Sequence, residues 1–570
     1  MSGPEEWLPP QKGTETGLQS GRLRKKPPHC DNLIRTMRLL LPFLLAPVLL
    51  AQEKVDLYIM NRIKAEELHD SKVMENAFYL TDVYGPRLTG SPGLKAAAEW
   101  AVRRMTEWGL ADPHLEKWGP FGRGWQCLHF EAEQKEPEYT PLVGFARPWS
   151  PGTHGTVSGE PVMAVIRTDE DFAKLKGKLK GKIALLEDVR PLAPEDEPDL
   201  RRFTDEQLAA ESLAPDPSAR SPFANPIPLI PGQPPRRRFN REEREKFRDK
   251  VNRFLTDEGV LVTLTPSYRA TSGIVFGAAA GSQDPKRPLP PPSVSLEVEQ
   301  YNRIARLVEK KVPVTLSFDI QNKFLDDTED SFNVIGELPG TTRKDEVVML
   351  GAHLDSWTFG TGATDNGAGS AVVLEAMRIL KTLDLKMART VRMALWTGEE
   401  EGLLGSRAYV KEHFADRETM VLKPEHARLS GYFNLDNGTG KIRGDYLQGN
   451  DMMRPIFQAW LDPFRDYGAN TVTIRNTGGT DHLSFDAVGL PGFQFIQDPL
   501  DYGSETHHSS ADMYDHLQPG DLMEASAIMA AVVYDAATRD EMLPRQTLPK
   551  PQPRRREGAE AHPATAGTGN

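Results

Sequence analysis

The chain has 570 residues, with 69 Lys and Arg against 81 Asp and Glu and a formal charge of -12. That length exceeds one ordinary hydrophobic core and allows roughly two to four domains, while the acidic balance excludes the basic footprint of a nucleic-acid binder. Only Cys30 and Cys127 are present, which excludes a disulfide framework and a thiolate metal site.

The first element is an apolar run, MRLLLPFLLAPVLLA, from Met37 to Ala51, preceded by Arg22, Arg24, Lys25, Lys26 and Arg35. A basic stretch, a short apolar run and a small terminal residue are the layout of a secretory signal, and the run is too short to span a bilayer comfortably. Residues 1–51 are therefore expected to be leader and signal, cleaved after Ala51. The mature protein would be exported, periplasmic or extracellular, without stable membrane insertion. An uncleaved anchor is the alternative. The 36 polar residues before Met37 are unusual for a signal peptide and make Met37 a second candidate start.

From Val55 to Leu110 apolar residues recur at three- and four-residue spacing, as in AAAEWAVRRMTEWGL, so that stretch reads as mostly helical within residues 52–125. They are expected to be the first part of the catalytic domain. From Gln126 to Lys323 the pattern changes to short β-rich runs, PVMAVIRT, GKIALLE, VLVTLTP and PVTLSFDIQ, which predict a separate β-rich insertion. Cys127 within it reads as a packed residue. Residues 191–250 are rich in Pro and charge and predict a solvated loop with a surface helix, or a lid beside a cleft. From residue 324 to 543 strand runs alternate with helical patterns, the signature of an α/β sheet covered by helices. Within it, Val372, Ala376, Ile379, Leu380 and Leu383 form one apolar helical face, and Pro519 starts the closing helix. Residues 544–570 have almost no large apolar residues and predict a disordered tail.

The chemistry concentrates at the ends of these strands. The run VVMLGAH ends at His353, a Gly-rich turn carries Asp365, TVRMALW leads to Glu399 and Glu400, and GYFNLDN ends at Asp436. Functional groups in open α/β sheets gather beyond the carboxyl ends of strands. Two divalent ions held close together need carboxylate and imidazole ligands, with a carboxylate between them to offset their repulsion. His353, Asp365, Glu400, Asp436 and a late histidine supply that set.

The order HLDSW, TDNGAG, WTGEEEG, NLDNG, GGTDHLSF and HHSSAD resembles the M28 family of zinc peptidases, particularly its carboxypeptidase Q-like members. The resemblance implies the zinc exopeptidase fold, a mixed central sheet with helices on both faces, and a protease-associated domain as the β-rich insertion. It implies two Zn²⁺ per chain, with Asp365 bridging, Glu400 and His508 on one ion, and His353 and Asp436 on the other. Asp355 would orient the His353 imidazole, and the Asp365–Asn366 peptide would be cis. Family sites read His, Ser or Thr, two variable residues and Asp; His508, Ser509 and Asp512 fit that spacing and His507 does not. Glu399 is the expected general base for a metal-bridging hydroxide, Tyr502 a candidate donor to the developing oxyanion, and Glu401 a solvent-facing carboxylate. Asp481 and His482 are expected to shape the pocket.

The implied function is a zinc-dependent aminopeptidase or dipeptidase acting on short peptides; oligomeric state is left open, a homodimer being only what some relatives suggest. The alternatives are a glutaminyl cyclase-like enzyme with one zinc and a noncatalytic, receptor-like binding ectodomain.

Overall fold

The computed structural model describes residues 53–192, 200–219, 241–269, 271–326 and 330–552. The leader and the expected cleavage position lie outside them. Asp56 starts the helix Leu57–Asp70 by accepting from the N–H groups of Tyr58 and Ile59. Ser91 caps Pro92–Trp108, which ends at Gly109 in the left-handed region, φ 75°. Pro92–Trp108 lays its apolar stripe on the sheet that follows, whereas Leu57–Asp70 packs on the helices Ala368–Thr382 and Pro519–Thr538.

That sheet has eight strands in the order Ala111–Trp118, Ser331–Leu338, Arg389–Trp396, Arg343–His353, Leu429–Asn434, Gly492–Gln497, Ile442–Tyr446 and Thr471–Thr473. Parallel pairing joins Arg343–His353 to Arg389–Trp396 on one side and to Leu429–Asn434 on the other, whereas the flanks include antiparallel pairs. The chain thus leaves the central strand in one direction and returns beyond it in the other. This makes the carboxyl end of Arg343–His353 a switch point, where a crevice opens between diverging connections.

Alternation along the central strand divides the core. Val348, Leu350 and Ala352 face the helices Ala368–Thr382 and Pro519–Thr538, while Met349 packs with Tyr409 and Phe485 from helices on the opposite face. The sheet is therefore mixed and covered on both sides. Helix Ala368–Thr382 departs from its expected single apolar face: every residue from Ala368 to Leu380 is buried. Helices Val73–Phe78 and Pro519–Thr538 cover what the sheet leaves open, and Arg378 satisfies Glu375 (2.8 Å) and Glu66 (2.7 Å) there.

Residues 124–325 build two smaller sheets. One contains Gly124–Glu136 and Thr315–Leu325; the other is ordered Gly144–Ala146, Ser293–Leu296, Val262–Pro266, Ile183–Leu185 and Pro161–Met163. They share a core that includes Trp125, Trp149, Ile183 and Phe318. The charged segment is more than a solvated loop. Residues 200–219 dock on the main sheet: Arg201 bridges to Leu500, Leu208 and Glu211 are buried, and Arg475 holds Glu211 at 2.6 Å. Helix Arg241–Asp257 buries Leu255 and packs Phe254 against Phe172, because its few apolar residues share one side. Residues 193–199 and 220–240 lie outside the described residues.

The tail also departs from expectation as far as Gln552. Arg545 donates to the carbonyls of His426 and Leu429, and Gln546 donates to that of Gln448, so polar side chains fix a segment that has little apolar surface to bury. Residues 553–570 lie outside the described residues. Among the described residues no helix is long and apolar enough to cross a membrane.

Arg87, fully buried, fastens the first helices to the loop after His353. Its guanidinium donates to the carbonyls of Leu354 (2.6 Å), Leu80 (2.7 Å), Thr361 (2.8 Å) and Gly362 (2.8 Å). Burial lowers its pKa to about 10 against the pull of Asp512, Asp355 and Asp365, so it stays charged near neutrality. Removing it leaves several buried carbonyls without donors. Arg87→Met is expected to destabilise the chain by about 3–5 kcal/mol, read as a lower denaturant midpoint in urea.

Candidate metal centre

The three parallel strands deliver His353, Glu399 with Glu400, and Asp436 to one edge, since His353 pairs with Trp396 and Gly351 with Asn434. Asp365 arrives on the turn before helix Ala368–Thr382, and the Asp365–Asn366 peptide is cis. His508 arrives on the loop after Gly492–Gln497, with φ 61°. Asp512 ties these last two segments together by accepting from Thr364 N–H (2.5 Å) and Thr364 Oγ1 (2.9 Å).

The five residues converge in two pairs about Asp365. One Asp365 oxygen lies 3.2 Å from His353 Nε2, and the other lies 3.1 Å from His508 Nε2. Asp436 is 3.2 Å from His353 Nε2, and Glu400 is 3.0 Å from His508 Nε2. His507 is more distant from Asp365, at 3.8 Å, and its ring stacks on His508 with centroids 3.8 Å apart.

Carboxylates and imidazoles this close shift one another. Burial raises the pKa of Asp365, but His353 and His508 outweigh it and hold the group well below the ordinary range. Burial lowers His353 and His508, yet Asp436 and Glu400 respectively lead the contributions that raise both well above the usual imidazole range. Glu400 is pushed up to about 7, first by burial, then relieved by His508 and opposed by Asp365.

The donor set fits divalent ions. Carboxylate oxygens and imidazole nitrogens are the ligands zinc takes, and Asp365 Oδ2 and Glu400 Oε1 are buried without a hydrogen-bond donor. A buried carboxylate oxygen in that condition is costly unless a cation accounts for it.

Asp355 meets the His353 imidazole through two groups. His353 Nδ1–H donates to the main-chain carbonyl of Asp355 at 2.9 Å, and the carboxylate, 3.7 Å from the same nitrogen, helps to raise the imidazole. The carboxylate also accepts from Glu399 N–H and Glu400 N–H, each at 3.3 Å, and from Thr89 Oγ1 at 3.0 Å. It fixes the turn that presents both glutamates.

Glu399 makes none of the ligand contacts and is buried beside them. Burial raises its pKa well above the carboxylate range, His353 opposes this, and Asp436, Asp481 and Glu400 add to it. A bound cation would reverse that balance. Glu401 corrects the sequence reading: its carboxylate oxygens are buried rather than solvent-facing, beside Thr89 and Asp355. Tyr502 is half-buried, packed over Gly438 and edge-on to His507, and burial together with Asp365 and Asp436 keeps its phenol protonated. His482 is fully buried and bonded to Gln448 (2.7 Å), and Asp481 lies buried behind Asp436.

Sequence reasoning missed Arg87, Thr89 and Arg269. Arg269 belongs to the β-rich insertion, yet its guanidinium reaches His507 Nδ1 at 3.4 Å. Single polar residues in segments distant along the chain leave no local spacing to detect.

Residues 333–533 match peptidase family M28. The chain is 26% identical over 480 residues to carboxypeptidase Q of Mus musculus, covering 84% of this chain and 88% of that protein. Its fold is similar to that of a peptidase M28 precursor from Shewanella amazonensis, with a TM-score of 0.61 and 24% identity over 87% of this chain and 99% of that one. It is also similar to a zinc aminopeptidase from Bacillus subtilis, with a TM-score of 0.51 and 20% identity over 82% of this chain and 95% of that one.

Proposed function

We propose that the chain is a member of peptidase family M28, which its residues 333–533 match, and an exported two-zinc exopeptidase acting on short peptides. It would remove an N-terminal residue or split dipeptides. The observation that carries this reading is the position of Asp365, with one oxygen facing each of His353 and His508 at 3.2 and 3.1 Å. A carboxylate in that position suits a pair of ions and is wasted on one. The signal-like run before Gln52 supports export.

In this reading His353 and Asp436 would hold one ion and Glu400 and His508 the other, with Asp365 shared between them. Zinc held there would lower the pKa of a water toward neutrality and polarise a carbonyl oxygen. Glu399 takes the proton of the attacking water and returns it to the leaving amine, since it is buried at the site and is not itself needed as a ligand. The protonated Tyr502 hydroxyl is a suitable donor to the oxygen that gains charge. Asp355 keeps Glu399 and Glu400 in register through their N–H groups. The Asp355 carbonyl fixes the imidazole tautomer of His353, leaving Nε2 for the ion.

The test is hydrolysis of a panel of aminoacyl amides, N-blocked peptides and free dipeptides by zinc-loaded protein. Cleavage of the free-amine substrates with the N-blocked peptides left intact is expected. Cyclisation of an N-terminal glutaminyl peptide without hydrolysis of any member would replace this reading with the cyclase.

A further inference from the structure

We propose that Arg202, from the charged segment of the β-rich insertion, is a positioning residue for the reaction: it closes the neck of the loop that carries Tyr502 and His508 and so holds the Tyr502 hydroxyl in place. The inference rests on the peptidase reading above and deepens it, by naming a group that acts through the loop rather than on the substrate.

The loop leaves the sheet after strand Gly492–Gln497 and returns at helix Pro519–Thr538, and between them lie Tyr502, His508 and Asp512. Asp498 and Asp521 stand at its two ends. The main chain of Lys441 joins them once, accepting from Asp498 N–H (3.1 Å) and donating its own N–H to the Asp521 carboxylate (3.0 Å). Arg202 joins them a second time. Its Nη1 donates to Asp498 (3.0 Å) and to Asp521 (2.7 Å), and its Nη2 donates to the other Asp521 oxygen (3.2 Å). The residues beside Arg202 complete the grip: Arg201 exchanges both main-chain hydrogen bonds with Leu500 (3.2 and 2.8 Å), and Phe203 N–H donates to Asp498 (3.0 Å). Asp498 is fully buried and also accepts from Arg443 of the sheet at 3.0 Å.

Two carboxylates that meet on one guanidinium nitrogen repel each other once it is removed. Asp498 would keep Arg443 and Asp521 would keep Lys441, so the displacement falls on the loop between them. Tyr502 is the first site residue after the neck, packed over Gly438 and edge-on to His507. His508 lies farther along, where Gly277 N–H donates to its carbonyl (3.1 Å), Ser510 N–H donates to the Val275 carbonyl (3.0 Å), and Asp512 accepts from Thr364. These contacts do not involve Arg202. The loss expected without it is therefore in the placement of Tyr502, with the ligand histidine kept, and a misplacement of about 1 Å in a group that serves the transition state costs on the order of 100-fold in rate.

The experiment uses the full-length chain, zinc-loaded for kinetics and zinc-free for hydrogen exchange, as wild type, Arg202→Met, Arg202→Lys, Tyr502→Phe and the Arg202→Met, Tyr502→Phe double variant. Arg202→Met should lower kcat about 10- to 100-fold with KM within about threefold of wild type and zinc content unchanged. Arg202→Lys keeps the charge without the fork and should recover part of the loss. If the arginine acts through Tyr502, removing it from Tyr502→Phe should change kcat by less than about twofold. In the zinc-free chain Arg202→Met should speed amide exchange across residues 500–506 and leave the central strands protected. A kcat unchanged in Arg202→Met, losses that multiply in the double variant, or an exchange pattern like wild type each overturn the proposal. A wild type inactive on every substrate of the panel removes the peptidase reading and the catalytic half of this inference, while exchange in the zinc-free chain still decides whether Arg202 holds the loop.

Discussion

Glu399→Gln is expected to lower kcat about 10²- to 10⁴-fold, the ordinary weight of a general base, with KM and zinc content close to wild type. The expectation follows from what Glu399 touches. Its main-chain N–H is held by Asp355 at 3.3 Å, and its side chain makes none of the four contacts that join His353, Asp365, Glu400, Asp436 and His508. Glutamine keeps the shape and loses the ability to accept a proton. A kcat near wild type would remove Glu399 from the chemistry, and loss of zinc with the activity would make it a ligand.

Asp365→Asn should have the opposite signature. The amide preserves the side-chain shape but takes away the charge that faces both histidines. What remains is His353 with Asp436 and His508 with Glu400, two ligands for each ion, where zinc ordinarily takes three or four protein groups. Zinc should fall below one ion per chain after dialysis, and activity should fall with it. The neighbouring imidazoles report the same event, since Asp365 is among the groups that raise both. Without that charge, the proton uptake by His353 and His508 in the zinc-free protein should shift to lower pH, measurable from their ring resonances in NMR titration. A variant that binds two ions as tightly as wild type would contradict a bridging role.

The centre was legible in sequence because its strands are. VVMLGAH, TVRMALW and GYFN are apolar runs that break into charge where the strand ends, and parallel neighbours bring such ends together. Asp365 was legible from the Gly-rich turn, whereas the choice of His508 over His507 came from the resemblance to family sites. What escaped depends on long-range packing. Arg87 lies more than 260 residues from the carbonyls of Leu354, Thr361 and Gly362, and nothing around it in sequence distinguishes it from a surface arginine. Glu401 looks like its neighbours until the turn buries it beside Thr89 and Asp355. Asp355 was found as a partner of His353, yet its hold on the N–H groups of Glu399 and Glu400 is set by backbone geometry that composition does not encode. Residues 200–219 read as solvated because their charge is high; that charge is instead spent on docking, Arg202 on Asp498 and Asp521 and Glu211 on Arg475.

The central claim is that Asp365 joins two ion sites, and zinc stoichiometry of the purified wild-type chain tests it most directly. After equilibration with zinc and removal of the excess, elemental analysis should give two zinc ions per chain, with Asp365→Asn retaining fewer than one. A wild-type value of one, or two ions unaffected by Asp365→Asn, would contradict the account.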